Sequence, residues 1–285
     1  MTRNPTIARR AEELLGAAVA ATSPVAGGDI CTATRVRLTD GRAVLIKSHV
    51  HPPPGFFAVE ASGLAWLAAA APDLVPAPLA VDDDCLILPW IETSKPTLEA
   101  AADFGRALAA LHGVGATGFG RDGDGFIGRL PMRNTPRESW PQFFAENRVL
   151  PYLKLARDRD RIEPEAAEQI EAVLPRIAEL VPSESAAHLH GDLWNGNVLW
   201  SSDGVVQLID PAAYGGHREM DLAMLALFGL PHLQRALDAY REAFPLAEGW
   251  EDRLALHQLF PLLTHAAMFG GGYGARAGAA AARFV

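Results

Sequence analysis

Cysteine is scarce in this sequence, which has only two among its 285 residues, Cys31 and Cys85. They lie far apart and have no metal-ligand spacing, and two cysteines cannot build a disulfide framework. The sequence therefore argues against a cysteine-based metal centre and against a disulfide-stabilised secreted scaffold. A reducing cytoplasm is the compartment that we expect.

Basic residues are also in short supply. Lys and Arg number 25 against 34 Asp and Glu, which gives a formal net charge of −9. Non-specific nucleic-acid binding needs a basic face, so we expect no nucleic-acid partner. An acidic surface is compatible with substrates that carry amines, although solubility alone explains the charge equally well.

Long apolar runs are missing as well. No stretch reaches the roughly 18 uninterrupted apolar residues that a membrane-spanning helix needs, so we expect no membrane association. The first residues carry charges inside their apolar pattern, which is not typical of a signal peptide. Hydrophobic residues still make up 49% of the chain. That content allows a substantial core, in one large domain or in two lobes that share an interface.

The most informative stretch runs from residue 189 to residue 221. His190-Gly191-Asp192 follows an apolar segment, and Asn197 comes five residues after the Asp. Two short apolar strands separated by a Ser-Ser-Asp-Gly turn come next, and the second strand ends directly on Asp210. If the two strands form a hairpin, Asp192, Asn197 and Asp210 converge at one end of it.

This spacing is typical of phosphoryl transfer. In kinases a catalytic-loop Asp acts as the base, an Asn five residues later binds magnesium, and a strand-terminal Asp binds magnesium as well. Magnesium prefers such hard oxygen ligands. A single Asp or Asn at a strand end is usually a turn former, but the combination with His190 is much rarer by chance.

The first hundred residues contain partners for such a site. Gly27-Gly28 precedes a predicted strand-turn-strand, with the turn at Asp40-Gly41, and backbone N–H groups there can lie over phosphates. Lys47 stands near the end of the second strand, 43–48, and Glu60 stands thirteen residues further along in a predicted helix. Each has a plain alternative, since the glycines are equally consistent with an ordinary turn and the two charged residues with a solvated surface.

The lobe boundary is predicted near Glu92. The segment before it, 85–90, is a short buried strand that includes Leu88 and Trp90. In a two-lobed kinase the adenine edge bonds to the connecting backbone at this place.

Helical spacing covers much of the remaining chain. It predicts a leading helix over residues 6–20 and a helix over 170–181 that Pro175 kinks or breaks. The Ala- and Gly-rich tail, 270–285, is predicted to be a poor core builder and partly mobile.

Three runs carry a family resemblance. They are HGDLWNGNVLW followed by IDPAAYGGHREMDLAML, FIGRLPMRNTPRESWPQFFAENRVLP, and HAAMFGGGYGARA. Together with Gly27-Gly28, Lys47 and Glu60 they are similar to the fructosamine kinase (ketosamine-3-kinase) family. That family lies within the protein-kinase-like and aminoglycoside-phosphotransferase-like superfamily, and the resemblance covers nearly the whole chain.

The resemblance implies an α+β, bilobal, protein-kinase-like fold. A small β-rich N-lobe would span residues 1–91, a larger and mainly helical C-lobe would span 92–285, and ATP would bind in the cleft. It also implies phosphorylation of the 3-hydroxyl of a ketosamine, a sugar joined to an amine by glycation, with ATP and Mg²⁺ as cofactors. The 3-phosphate makes the adduct prone to release its amine, so the activity leads to deglycation.

The resemblance also implies roles for individual residues. Asp192 would be the catalytic base, Lys47 would contact phosphates, Glu60 would position Lys47, and Asp221 would brace the catalytic loop from a buried position. The full set of expected site residues is Asp192 (catalytic), Asn197 and Asp210 (magnesium), Gly27, Gly28, Lys47, Glu60, Leu88 and Trp90 (nucleotide), and Trp194, His217 and Glu219 (substrate). For Trp194 the alternative is a loop anchor.

Two other functions remain open at this stage. One is a kinase for another small alcohol, such as an aminoglycoside or choline, which the shared HGD core permits. The other is an inactive, nucleotide-sensing protein, which the joint presence of the catalytic set disfavours. We expect the chain to be a monomer.

Overall fold

The chain forms two compact units of different composition. The computed structural model describes residues 5–26 and 30–285, so the glycine turn predicted at Gly27-Gly28 lies outside the described residues. The first unit comprises residues 1–95 and 199–211, and the second comprises residues 96–198 and 212–285. The predicted α+β class is confirmed, because the first unit contains an antiparallel sheet and the second is mainly helical.

The first unit is built on a five-stranded antiparallel sheet in the order β1-β2-β3-β5-β4. Strands β9 and β10 pair separately, and β9 begins in the second unit. The elements are α1 (Pro5–Leu15), β1 (Val19–Val25), β2 (Thr32–Leu38), β3 (Ala43–Ser48), α2 (Phe56–Ala70), β4 (Ala80–Val81), β5 (Cys85–Pro89), β9 (Val198–Trp200) and β10 (Val206–Leu208).

The hairpin predicted at Asp40-Gly41 is confirmed between β2 and β3. Gly41 has φ +92°, a value that side chains disfavour, and the Asp40 carboxylate accepts the Arg42 N–H at 3.0 Å. Alternate residues of both strands, among them Val36 and Ile46, are buried in the core of this unit. The turn sets the register of β3. Lys47 directly follows Ile46 in this strand, so the two side chains face opposite sides of the sheet.

The helix predicted over residues 6–20 is wrong in its last five residues. Helix α1 ends at Leu15, Gly16 has φ +64°, and strand β1 begins at Val19. The Glu12 side chain accepts the Val19 N–H at 2.8 Å. A left-handed glycine ends a helix readily, and the apolar spacing of the next residues serves a strand equally well.

The hairpin β9–β10 belongs largely with the first unit. Leu208 N–H donates to Leu74 O at 2.8 Å, and Ser94 N–H donates to Trp200 O at 2.7 Å. The contacts divide the chain after Lys95 and again around residues 199–211, whereas the sequence alone suggested a single boundary near Glu92. Asp210, two residues after this hairpin, consequently belongs to the same unit as Lys47 and Glu60.

Most helices of the second unit pack around one large core, while the helices Leu98–Val114 and Leu233–Ala243 pack against each other. Short strand pairs β8–β11 and β6–β7 complete it. Its elements are α3 (Leu98–Val114), β6 (Gly125–Ile127), β7 (Leu130–Met132), α4 (Trp140–Phe143), a π-helical segment (Phe144–Val149), α5 (Leu150–Asp158), α6 (Pro164–Val173), a 3₁₀ turn (Leu174–Arg176), α7 (Ile177–Leu180), β8 (Ala187–Leu189), a 3₁₀ turn (Asn195–Asn197), β11 (Tyr214–Gly216), α8 (Glu219–Phe228), α9 (Leu233–Ala243), α10 (Trp250–His257), α11 (Leu259–Phe269) and α12 (Tyr273–Ala281).

The tail was wrongly predicted to be a poor core builder. Helix α12 places Ala277 and Ala281 fully in the core. A Cβ at Gly278 would lie 2.5 Å from the Ala166 Cβ, and one at Gly274 would lie 2.4 Å from the Arg161 O. Small residues let this helix approach its neighbour closely, so the composition that suggested mobility is what permits the packing.

Pro175 breaks the helix predicted over 170–181. Helix α6 ends at Val173, the 3₁₀ turn that contains Pro175 follows, and α7 begins at Ile177. Among the helices of residues 5–26 and 30–285, none combines the length and apolar character needed to cross a membrane.

Candidate active site

The loop that carries Asp192 is held at its start by a strand pair and by a buried carboxylate. It follows β8, which pairs with β11 so that Leu189 lies opposite Tyr214. Gly191 has φ +79°, and a Cβ there would lie 2.1 Å from the Ala212 O, so only glycine fits. The buried Asp221 carboxylate accepts the backbone N–H groups of His190 at 2.8 Å and of Gly191 at 3.0 Å.

Asp221 is itself held by a buried side chain. His112 Nε2 lies 3.3 Å from an Asp221 carboxylate oxygen, and His112 Nδ1 lies 2.8 Å from the Tyr240 hydroxyl. A continuous set of hydrogen bonds therefore joins three helices to the loop before Asp192, which limits its freedom to move.

Asn197 is bonded directly to Asp192. Its Nδ2 donates to the Asp192 carbonyl at 2.8 Å and to the Asp192 carboxylate at 3.2 Å. The 3₁₀ turn that includes Asn197 brings the two residues together, since Asn197 N–H also donates to Trp194 O at 2.9 Å. The D-x4-N spacing thus brings the two side chains into contact. These contacts fix the Asn197 amide and hold the half-buried Asp192 carboxylate in one position.

Lys47, Glu60 and Asp210 meet in the first unit. Lys47 Nζ donates to Glu60 Oε1 at 2.6 Å and to Asp210 Oδ1 at 2.7 Å. Asp210 has φ +56°, an uncommon value that Asp tolerates better than most residues. Burial alone lowers the pKa of Lys47, but the two carboxylates outweigh it and hold that pKa above its ordinary value. The ammonium therefore stays charged, as a phosphate-binding group must.

Leu88 and Trp90, predicted to bind nucleotide, lie in and just after β5. Leu88 is buried opposite Leu45 in the sheet. The Trp90 ring packs against the Arg35 guanidinium, whose Cζ lies 4.5 Å from the ring centroid, and its indole N–H donates to the Glu92 carboxylate. The Trp90 backbone N–H donates to Ala43 O at 3.2 Å, so it is engaged by the sheet.

Trp194, predicted to contact substrate, lies on the protein surface. It has 42% of its surface exposed, the largest fraction among the six tryptophans, all of which lie in the described residues. Its backbone N–H donates to Asp192 O at 3.2 Å. An exposed indole two residues beyond the proposed base is consistent with a substrate-facing position, because apolar rings of this size are otherwise mostly buried.

His217 and Glu219, also predicted to contact substrate, are 1% and 0% exposed. Arg253 holds the Glu219 carboxylate with two nitrogens, Nε at 3.0 Å and Nη2 at 2.7 Å. Neither side chain offers surface to a ligand in this conformation. A buried carboxylate needs a paired cation, and here Arg253, 34 residues away in the chain, supplies it.

His217, Glu219 and His257 bring their ligand atoms within 4.8 Å of one another. His217 Nδ1 accepts the Glu219 N–H at 3.3 Å, which places the ring proton on Nε2. His257 Nε2 accepts the Trp140 indole N–H at 3.2 Å, which places its proton on Nδ1. Neither neutral imidazole then has an available lone pair, so the bonding in this cluster disfavours a cation site.

Charged groups surround His217 on several sides. Its Nε2 lies 3.7 Å from Glu184, which Arg218 holds through two hydrogen bonds of 2.8 Å. The His217 ring stacks on His257 with 5.2 Å between centroids. Burial lowers the pKa of His217 from 6.5 to about 4; Glu184 opposes this, while Arg218 and Arg253 add to it. His217 is therefore neutral in the folded protein near pH 5.

We expect His217 to make folding stability depend on pH. Its pKa is lower in the folded chain, so the unfolded chain binds the extra proton between pH 6.5 and about 4. The contribution of His217 to the free energy of unfolding is then fully present above pH 6.5 and is lost as the pH falls toward 4. The slope is about 1.4 kcal/mol per pH unit per proton. Urea unfolding from pH 7 to 4.5 should show a smaller slope in His217→Gln than in the parent.

His51→Gln, at an exposed position, supplies the matched control for the substitution itself. Comparing slopes separates the titration from any constant loss of stability in the His217 variant. Equal slopes in parent and His217→Gln would show that folding does not lower the pKa of His217.

The charge cluster itself was missed by sequence reasoning. Glu184 joins it from the segment before β8, and Arg253 and His257 join it from helix α10. No local spacing in the sequence predicts such contacts, because each partner lies more than thirty residues from the group that it binds.

Comparisons with known proteins agree with these motifs. A family model described as fructosamine kinase matches residues 3–284. A probable ketoamine kinase of Enterococcus faecium is 37% identical over 257 residues, which are 89% of this chain and 91% of that protein. A crystal structure assigned as a fructosamine-3-kinase from Thermobifida fusca is 47% identical, with a TM-score of 0.93 over 98% of each chain.

The likeness in fold extends to more distant phosphotransferases. A macrolide 2′-phosphotransferase from Brachybacterium faecium is 18% identical, with a TM-score of 0.66 over 98% of this chain and 97% of that one. At this identity the likeness concerns the fold alone, which is that of kinase-like phosphotransferases.

Proposed function

Because the chain belongs to the fructosamine kinase family, we propose that it transfers the γ-phosphoryl group of ATP to the 3-hydroxyl of small ketosamines. Fructosamines and ribulosamines are the expected acceptors. The observation that carries this proposal is the braced loop, in which Asp221 holds His190 and Gly191 while Asn197 holds Asp192. Such a loop presents one fixed carboxylate to an incoming hydroxyl.

Asp192 acts as the general base in this proposal. The acceptor oxygen attacks the γ-phosphorus, its proton passes to the Asp192 carboxylate, and the bond from that phosphorus to the bridging oxygen breaks to release ADP. Phosphoryl transfer depends mainly on positioning and on neutralising charge. The bond from Asn197 Nδ2 keeps the base oriented, so the orientation of Asp192 is set before substrate arrives.

The nucleotide side is assigned to the first unit. Lys47, kept charged by Glu60 and Asp210, would contact phosphate oxygens. Gly27-Gly28, Leu88 and Trp90 remain predictions for the loop over the phosphates and for the adenine side.

Magnesium is the divalent ion that we propose for this site. The donor set suits it, since a carboxylate from Asp210 and an amide oxygen from Asn197 are hard oxygen ligands. The Asn197 nitrogen is already a donor to Asp192, so the amide oxygen is the end suited to a cation. When bound, the ion neutralises charge on the phosphates.

The acceptor side is assigned to Trp194. A ketosamine presents sugar C–H groups and a secondary amine that is protonated near neutral pH, and both are attracted to the face of an indole. The substrate roles of His217 and Glu219 stay predictions, and they would require the buried Glu219–Arg253 pair to open. An aminoglycoside, with several positive charges, would need a dense carboxylate lining instead.

The test is an acceptor screen with ATP and Mg²⁺. We expect turnover of small fructosamines or ribulosamines, negligible turnover of kanamycin-like compounds and of choline, and NMR and mass spectra that place the phosphate on the sugar 3-hydroxyl. The 3-phosphate product should then release free amine on standing. Efficient aminoglycoside phosphorylation without ketosamine turnover would overturn the proposed substrate while leaving the kinase mechanism in place.

A further inference from the structure

The indole of Trp194 lies directly on the backbone of Gly196. A Cβ built at Gly196 would lie 2.2 Å from Cη2 of Trp194, 2.5 Å from Cζ2 and 2.6 Å from Cζ3. Real Cβ atoms do not approach other atoms so closely, so any side chain at this position would displace the ring. One part of the indole thus rests on the 3₁₀ turn, while 42% of the Trp194 surface stays exposed.

The backbone conformation does not explain this glycine. Gly191, five residues earlier, has φ +79° and faces the Ala212 backbone at 2.1 Å, which are two reasons for glycine. Gly196 is not in the left-handed region, and the three atoms nearest its missing Cβ all belong to Trp194. The absence of a side chain at Gly196 therefore serves the position of the indole.

The position of the ring is coupled to the base. Trp194 N–H donates to Asp192 O at 3.2 Å, and Asn197 N–H donates to Trp194 O at 2.9 Å. Both ends of the Trp194 backbone are thus fixed relative to Asp192 and Asn197, and Gly196 fixes the remaining freedom, which is the direction of the side chain. A flat apolar surface of set orientation then stands beside the residue that receives the hydroxyl proton.

We propose that Gly196 is a positioning residue that determines acceptor specificity. By seating the Trp194 indole on its peptide, it presents the exposed face of the ring to the carbon skeleton and ammonium group of the acceptor. This inference rests on the proposed function of the site, because it names the surface that recognises the amine-bearing acceptor. Gly196 touches no reacting atom and acts through Trp194.

The variant Gly196→Ala tests the proposal. Its Cβ should turn the indole away, so we expect the acceptor KM to rise roughly tenfold, the scale of a lost cation–π and stacking contact. The ATP KM should stay within about twofold and kcat should change much less than the acceptor KM, since Asp192 and Asn197 keep their bonds. Gly272→Ala is the matched control, because Gly272 is also exposed, has φ −82°, and has nothing within 4 Å of its Cβ position.

A double-mutant cycle with Trp194→Ala separates the ring from the turn. Trp194→Ala alone should raise the acceptor KM by a similar factor, and adding Gly196→Ala should then change little, because the Cβ no longer meets a ring. Acrylamide quenching of tryptophan fluorescence should also change on Gly196→Ala in the parent but not in the Trp194→Ala background.

Two outcomes would overturn the inference. One is an equal rise in KM from Gly196→Ala with and without Trp194, which would place the effect in the turn itself. The other is an acceptor KM of the parent's size in Gly196→Ala. The cycle uses whichever acceptor the parent phosphorylates, so a parent that ignores ketosamines but turns over another alcohol would refute the proposed substrate and still test Gly196.

Discussion

Asp192→Asn is expected to lower turnover by roughly 10²–10⁴, the range of a lost general base, with ATP affinity nearly unchanged. The substitution keeps the size of the side chain and its oxygen acceptor for the Asn197 amide, which now lies 3.2 Å away. What it removes is the capacity to take the hydroxyl proton. Steady-state kinetics with a ketosamine, together with nucleotide titration by calorimetry, measure the two effects separately.

Asp203→Asn provides the control for this experiment. Asp203 is exposed in the turn between β9 and β10, and its carboxylate accepts a local hydrogen bond from Val205 N–H at 3.1 Å. We expect parent-like kinetics from it. Near-normal turnover in Asp192→Asn would mean that the base has been assigned to the wrong carboxylate.

Asp210→Ala should reduce activity by roughly 10³ or more, because it removes a proposed metal ligand on which charge neutralisation in the transition state depends. It should also weaken Mg–ATP binding. The change leaves Lys47 with Glu60 as its remaining carboxylate partner among the bonds described above. Asn197→Ala should act in the same direction less severely, and raised magnesium should partly restore its activity.

Calorimetric titration of nucleotide at several magnesium concentrations checks this second expectation. A ligand defect appears as affinity that depends more steeply on magnesium, whereas a misfolded variant loses affinity at every concentration. Thermal unfolding shows whether each variant is folded. If Asp210→Ala bound Mg–ATP as tightly as the parent, the metal role of this strand-end carboxylate would have to be given to another residue.

The local parts of the site were accessible from the sequence. The bond between Asp192 and Asn197 spans five residues within one short turn, and the hairpin at Asp40-Gly41 closes over four residues. Interactions between residues this close in sequence depend on turn conformations, which Gly, Asp and Asn favour. For the same reason the sequence indicated the kinase family, whose most specific motif is compact.

Other features depended on which segments pack together. Helix α1 ends at Leu15 and α12 is packed into the core, although apolar spacing suggested a longer first helix and the Ala/Gly composition suggested a loose tail. The composition of a segment indicates how much apolar surface it can bury. The close approach at Gly278, however, depends on the neighbouring helix. A pattern of apolar residues likewise fits a strand or a helix until its partners are known.

The sequence by itself indicated the chemistry proposed for this protein, because the proposed base, its bonded Asn and their spacing lie within one loop. Only the tertiary structure decided which polar residues near that loop remain accessible. His217 and Glu219 stand in the same family motif and look equally able to meet a substrate, yet Arg253 and His257, both on helix α10, enclose them. Burial and ion pairing are set by segments far apart in the chain, and no short stretch of residues encodes them.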